Sequence, residues 1–406
     1  MDDEVMLTVP PLGKERHIWH IPQEAPVSRS RRSRGNGEYE SAVPARFADY
    51  TFVFPAELLA DLEDASAALA AFDSYAALKL GTGSHVLGPM SAVLLRTEAS
   101  SSSQIEHLTV GAKNLALETL DEGVSGNAAI VVGNVRAMEA ALRLSEDMTE
   151  KNILAMHRAL LSAQQGWEDQ AGRYRDKLVW VGTDGYSPRG AKHVGSQPEL
   201  IDDAMTDLLR FIGRDDLPII AQCAIAHAQF ETIHPFADGN GRCGRALVHA
   251  ILRNKMLTRN TTPPVSAGLL HDTDNYFAAL TAFREGNAAP IVQRFAEACR
   301  FAASSGRKLI DDLCEQLDEA NADMHGVRRD AAVWKVLPNL IAQPIINTRY
   351  LRESLGLTKA QAERAIKTLV EHGIVTVRSG KKRDAVYEHR GILDVLDEYA
   401  ASLRRG

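Results

Sequence analysis

The sequence predicts a mainly α-helical protein: a helical body carrying one small β-hairpin flap and ending in a helix–helix–hairpin module. Three observations predict it. Apolar residues recur at three- and four-residue steps through most of the first 300 positions. Residues 173–194 break that pattern with short extended runs and turn signals. Residues 327–406 read as two short helices followed by two strands around a basic turn. At 406 residues, 45% hydrophobic and 24% charged, the chain has an ordinary globular composition and room for two to three domains.

Each element has its own justification. Residues 1–50 are expected to be an irregular, exposed arm, because Pro10, Pro11, Pro22 and Pro26 interrupt any periodicity. The arm includes a basic run at 28–34, open either to nucleic-acid contact or to lying along the surface. Leu58, Leu59, Leu62, Ala65, Leu69 and Phe72 form an amphipathic stripe over 56–72. The same spacing predicts helices near 90–98, 127–146, 149–162, 197–211, 218–234, 241–254, 275–285 and 290–304. The flap is extended at 177–182 and 191–194, with turns at Thr183-Asp184-Gly185 and Pro188-Arg189-Gly190. Residues 306–326 read as a connecting helix. Helices at 348–355 and 358–372, joined by Gly356-Leu357, then strands at 374–377 and 385–388, make a winged-helix pattern. The expected parts are 1–110, 111–305, 306–326 and 327–406.

Charge and cysteine usage exclude some classes. A net charge of −7 argues against wholesale coating of nucleic acid, but 327–406 carries 15 Lys/Arg against 9 Asp/Glu, a net of +6. Cys223, Cys243, Cys299 and Cys314 are scattered, with no zinc spacing, as expected of reduced thiols in the cytoplasm. No run approaches the roughly 18–20 apolar residues of a membrane span. Residues 1–9 are acidic and lack the apolar core of a signal peptide, so a cytoplasmic protein without a membrane partner is expected.

The chemistry concentrates in 234–245, His-Pro-Phe-Ala-Asp-Gly-Asn-Gly-Arg-Cys-Gly-Arg. A helix delivers the chain to His234, and the next begins near Gly241. Gly239, Asn240 and Gly241 therefore sit at a helix N-terminus, where free N–H groups and the helix dipole favour an anion. Arg242 and Arg245 share a helical face and suit phosphate. Asp238 is a hard oxygen ligand suited to Mg²⁺, and His234 can accept a proton near neutral pH. These residues point to transfer from a nucleotide or polyphosphate to a hydroxyl. Gly239–Gly244 also spells G-x-G-x-x-G, but it follows a helix and lacks the strand that a dinucleotide fold requires.

The run resembles the Fic family signature, H-x-F-x-[D/E]-G-N-G-R-x-x-R, and matches all of its specified positions. The resemblance implies a Fic-type helical bundle that moves AMP from ATP onto a Tyr, Ser or Thr hydroxyl of a target protein. By position, His234 would be the general base and Phe236 the buried anchor of the loop. Asp238 would hold Mg²⁺, and Gly239, Asn240 and Gly241 would form the anion hole. Arg242 would bind phosphate and Arg245 the γ-phosphate. The flap at 173–198 would dock the target by strand addition, with Lys192, His193, Val194 and Gly195 on its target-facing edge. Where the family often has paired prolines, this chain reads Gly195-Ser196-Gln197-Pro198. Tyr276, in Asn275-Tyr276-Phe277, resembles the aromatic that borders adenine; a core aromatic remains the alternative. His227 and His249 are expected to be hydrogen-bonded core histidines.

Residues 97–106 resemble the family's inhibitory helix, [S/T]-x-x-x-E-[G/N], with Ser102 and Glu106 in the key places and His107 where Gly or Asn is usual. The implied mechanism is pairing of Glu106 with Arg245, which displaces the γ-phosphate. The division then becomes an N-terminal region with the inhibitory helix (1–110), a Fic catalytic domain (111–305), a connecting helix (306–326) and a winged helix (327–406). In the tail, Lys359, Arg364 and Lys367 would lie on the recognition helix, and Arg378, Lys381, Lys382 and Arg383 on a basic wing. DNA contact and protein-only contact both stay open there, as does a homo-oligomer. The rival readings are removal of AMP, with Glu106 aligning water, and a DNA-binding regulator whose Fic site senses nucleotide.

Overall fold

The structure, a computed structural model, describes residues 5–81, 85–123, 126–162, 164–378 and 385–403. Residues 1–4 of the acidic N-terminus and Lys381, Lys382 and Arg383 of the expected wing lie outside the described residues. The protein is mostly helical, with its described strands in three small sheets. The chain divides into two compact units, one of residues 1–66, 136–256 and 274–296, the other of 67–135, 257–273 and 297–406. This division cuts across the contiguous parts drawn from sequence. Four of its boundaries fall inside the helices Ala56–Leu80, Gly126–Arg143, Thr273–Arg284 and Ala289–Asp323, where no linker composition could mark them.

The first unit is built around the helices Ile219–Ile233 and Asn240–Asn254. The former is buried continuously from Ile220 to Ile233, as a helix apolar nearly all round must be. Its Gln222 donates to the carbonyls of Phe211, Ile212 and Arg214 at 2.8–3.0 Å, satisfying the end of the helix Ile201–Ile212. The expected helices at 149–162 and 218–234 are present with their caps. Thr149 accepts from the Asn152 N–H at the start of Glu150–Leu161, and His234 ends Ile219–Ile233.

The first fifty residues are not an irregular arm. Strands Gly13–Trp19 and Gly37–Val43 pair antiparallel from Gly13↔Val43 to Trp19↔Gly37, and the helix Arg29–Gly35 lies between them in sequence. Ser28 caps that helix, and Arg32 donates to the carbonyls of Ile21, Pro22, Gln23 and Ala25. The basic run is therefore partly spent on holding its own loop. The strand Gly13–Trp19 is exposed over most of both faces, so it lacks the apolar alternation by which a strand is read from sequence.

Residues 290–304 and the expected connecting helix form one helix, Ala289–Asp323. Gly306 does not break it: a Cβ there would lie 2.9 Å from Phe72 Cε2, so the glycine serves close packing. An apolar cluster joins Leu94, Leu313, Val336, Leu340, Ile366 and Leu369. The C-terminal region runs through helices Val333–Val336 and Asn339–Ala342, strand Ile345–Ile346, helices Thr348–Leu355 and Lys359–Glu371, and strands Thr376–Arg378 and Val386–Glu388. Val386–Glu388 is central, flanked by the other two strands. Gly356, at φ +65°, ends one helix, and Thr358 with Gln361 forms a capping box for the next. Strand Ile345–Ile346 and the final helix Arg390–Ser402 were not expected from the sequence pattern.

The helix Leu87–Ile105 carries Ser102, which is buried, and is capped by Glu106. His107 takes φ +62°; its N–H donates to Gln104 O and that of Leu108 to Ser103 O. This bond pair is a Schellman motif. The residue after the glutamate is thus the left-handed residue just beyond the helix, a position that favours Gly or Asn and that histidine also visits.

Candidate active site

The site begins with a strained residue. His234 sits in the left-handed region, φ 54° and ψ 59°, where the chain leaves the helix Ile219–Ile233. Such a conformation persists only where its surroundings over-determine it, and here they do. His193 Nε2 lies 3.0 Å from the Thr232 carbonyl, and the Ser196 N–H donates to Ile233 O at 3.4 Å. Arg175 Nε donates to His234 O at 2.8 Å and the Arg175 N–H to Pro235 O at 3.0 Å. Arg284 Nη2 reaches Glu231 O at 3.4 Å. Every carbonyl from 231 to 235 therefore has a donor, and the open helix end is closed by the flap and its flanking loop.

His234 keeps 16% of its side chain exposed. Burial and the charges of Arg175 and Arg284 hold its pKa down, to about 3, so the ring is neutral at pH 7. Its Nδ1 is 3.4 Å from Glu231 O and 3.8 Å from the Glu231 carboxylate. Donation from Nδ1 to that carbonyl leaves Nε2 as the free lone pair, the atom that can take a proton.

The loop after the base is held from below. Phe236 is fully buried and stacks on His157, with ring centroids 3.7 Å apart and planes 2° apart. His157 Nδ1 accepts the Gly172 N–H at 3.0 Å, so Nε2 carries the proton and donates to Asp238 O at 3.1 Å. Burial lowers the His157 pKa to about 4, which keeps this neutral tautomer. The Asn240 side chain bridges both backbone groups of Phe236, accepting at 2.8 Å and donating at 2.9 Å. Asn240 thus closes the turn with its side chain. Gly239 is at φ +78°, and a Cβ there would meet Leu160 Cδ2 at 2.5 Å. No side chain caps the helix Asn240–Asn254 that follows.

Asp238 and Arg242, one turn apart, pair at 2.8 Å, with Asp238 36% exposed and Arg242 buried. Arg245 is buried on the same helix. One hard carboxylate beside phosphate-binding groups suits Mg²⁺, which is commonly held by one or two carboxylates and substrate phosphates. Asp238 therefore fits a metal that arrives with the nucleotide.

Tyr276 is 1% exposed; its hydroxyl lies 2.7 Å from His227 Nε2, and the two rings stack. That burial sets the ring against His227, the core-aromatic arrangement that the sequence left open beside an adenine neighbour. Burial and the nearby charge of Arg245 depress the His227 pKa to about 3. Gly244 allows this approach: a Cβ would lie 3.0 Å from His227 Nδ1.

The flap strands Trp180–Val181 and His193–Val194 pair antiparallel. Gly195 lies against the base, since a Cβ would be 2.9 Å from Arg175 Nη2 and 3.2 Å from His234 Cβ. The N-terminal ribbon braces the flap. Trp19 Nε1 donates to Tyr186 O at 2.8 Å, Arg31 pairs with Asp184 at 2.8 Å, and Ala42 bridges Ser196. A cleft of about 470 Å³ separates ribbon and flap, lined among others by Lys14, Glu38, Lys192, Val194 and Arg284. Sequence reasoning missed His157, Arg175 and Arg284. Single histidines and arginines on helices or loops carry no spacing signal, and only folding brings them to the motif.

A histidine on a tight turn, followed by a glycine-rich helix start with two buried arginines, is the arrangement that the signature at 234–245 led one to expect. The chain matches a Fic/DOC family model over residues 147–252. It is 32% identical over 161 residues to "Protein adenylyltransferase Fic" of Nematostella vectensis, covering 39% of this chain and 34% of that protein. It is 33% identical over 174 residues to "Protein adenylyltransferase fic-1" of Caenorhabditis elegans, covering 40% and 31%. The chain thus spans about a third of the length of these curated relatives. A crystal structure of a Fic family protein from Desulfovibrio desulfuricans G20 shares the fold, at TM-score 0.50 and 23% identity, over 84% of this chain and 97% of that one. Among the described residues, no helix is long and apolar enough to cross a membrane.

Proposed function

We propose that this protein is an adenylyltransferase that moves AMP from ATP, taken as its Mg²⁺ complex, onto a Tyr, Ser or Thr hydroxyl of a target protein. The observation that carries the reading is the neutral His234, over-determined on its turn and followed by an uncapped helix start bearing Arg242 and Arg245. The acceptor oxygen attacks the α-phosphorus as its proton passes to His234 Nε2. The bond from that phosphorus to the β-bridging oxygen breaks, and pyrophosphate leaves. The Glu231 carboxylate, 3.8 Å from Nδ1, stabilises the imidazolium that forms. Arg242, Arg245 and the N–H groups of 239–241 hold the phosphates. Mg²⁺ at Asp238 would neutralise phosphate charge when bound. The acceptor segment adds to the flap at Lys192, His193, Val194 and Gly195 within the cleft described above.

Activity is held back by Glu106, with Ser102 on its helix, through competition for Arg245. Incubation with MgATP followed by intact-mass analysis tests the whole reading. The wild type should gain little, Glu106→Gly should add one AMP to the protein or its target, and His234→Ala should add none. No added mass in Glu106→Gly would overturn it.

The C-terminal region is read as a winged helix from its order of elements. Contact with DNA through Arg364, Arg378 and their neighbours is part of the proposal. Lys359 and Lys367 each pair with a glutamate one turn on, which leaves the recognition helix little net charge. Any affinity should therefore be weak and fall with salt along a shallow slope, set by the few cations left free for phosphate. A salt-independent affinity would rule out phosphate contact.

A further inference from the structure

The cleft between ribbon and flap belongs to target docking, and the recognition helix to the tail already read. The observation that goes further is Arg175. It is 3% exposed and ties together three stretches of chain. Its Nη1 donates to Lys177 O at 2.8 Å, its Nη2 to Ser196 O at 2.5 Å, and its Nε to His234 O at 2.8 Å. Its own N–H takes Pro235 O. Among the described residues it makes no ion pair with a carboxylate, so a buried charge is here spent on carbonyls alone. A planar fork can serve several acceptors in fixed directions, which a lysine ammonium cannot reproduce. Gly195 completes the contact, bringing the end of the flap within a methyl group's reach of both Arg175 and His234.

We propose that Arg175 is the positioning residue that locks the base His234 and the docking flap into one rigid piece, so that an acceptor held on the flap meets Nε2 in line. The inference rests on the proposed transfer reaction. His193 on the flap, Glu231 on the base's own helix, and Arg284 on the helix Thr273–Arg284 are the other charged or titratable groups facing His234. Each holds one carbonyl at most, whereas Arg175 spans flap and base.

The test places Arg175→Lys and Arg175→Ala in the Glu106→Gly background. Three quantities are read: AMP transfer, ATP affinity, and hydrogen exchange over 177–196 and 231–236. The expected result is a kcat loss of about 100-fold, the effect of roughly 1 Å misplacement. ATP affinity should stay within about threefold, a change worth only about 0.65 kcal/mol. Exchange should quicken in both segments together. Guanidinium at sub-denaturing concentration should restore part of the loss in Arg175→Ala and none in Arg175→Lys. Unchanged kcat, or a loss that follows ATP affinity and folded fraction without rescue, would overturn the proposal. If the Glu106→Gly parent transfers no AMP, the reaction reading fails on its own. Hydrogen exchange then still decides, and unchanged exchange in the two segments would sink the lock.

Discussion

His234 combines two features that usually work against each other. Its backbone is strained and its ring is kept neutral by burial and two guanidinium groups. A base with so low a pKa is a weak one; in the proposed reaction, polyphosphate charge held at Arg242 and Arg245 would favour the protonated ring. The ring's pKa, followed by NMR, should therefore rise from about 3 toward neutrality when MgATP is added; no upward shift would contradict the proposed pose. The stability consequence has a definite sign. His157, His227 and His234 all have folded-state values below the ordinary histidine value. The unfolded chain then binds more protons, so their contribution is present above about pH 6.5 and is lost as pH falls toward 3–4. Denaturation midpoints should drop over that window and flatten above it.

His157 shows how a residue without a recognisable pattern becomes essential at the same scale. Replacing it by Phe keeps the stack on Phe236 but leaves the Gly172 N–H and the Asp238 carbonyl without their partner. A cost of about 1–3 kcal/mol is expected by chemical denaturation, with weaker ATP binding as the glycine turn loosens.

At the scale of elements, the end of the helix Leu87–Ile105 explains how His107 is accommodated. The Schellman turn places the residue after Glu106 at positive φ, where glycine or asparagine is favoured, and His107 adopts that conformation at +62°. His107→Gly should relieve the strain and stabilise the protein by about 0.5–1 kcal/mol. Glu106 stays in place, so AMP transfer should stay low. A variant that is destabilised would show that the histidine side chain makes a compensating contact. The flap depends on its neighbours in the same way. Two-residue strands cannot stand alone, and Trp180–Val181 with His193–Val194 is held by Arg175 behind and by Trp19 and Arg31 at its tip. Trp19→Ala should raise the KM for the acceptor about tenfold, the equivalent of about 1.4 kcal/mol, and leave ATP affinity unchanged. Equal loss of both would mean that the ribbon supports the whole unit and not the flap.

At the scale of the molecule, each of the two units is assembled from three separated stretches of chain. The helical periods and the signature at 234–245 could be read from sequence, because each depends on residues within a few positions of one another. The same locality allowed Gly239, Asn240 and Gly241 to be placed at a helix start. Everything that gives those residues their chemistry is non-local. The low pKa of His234 comes from burial first and then from Arg175 and Arg284, which lie far from it in sequence. The role of Asn240 as the clamp on Phe236, the burial of Tyr276 against His227, and the N-terminal strands that brace the flap also depend on tertiary contact. Sequence by itself determined which reacting groups are present and in what order, since a motif is a local arrangement of side chains. The tertiary structure alone decided their protonation, their strain and their partners, because burial and charge act through space and not along the chain.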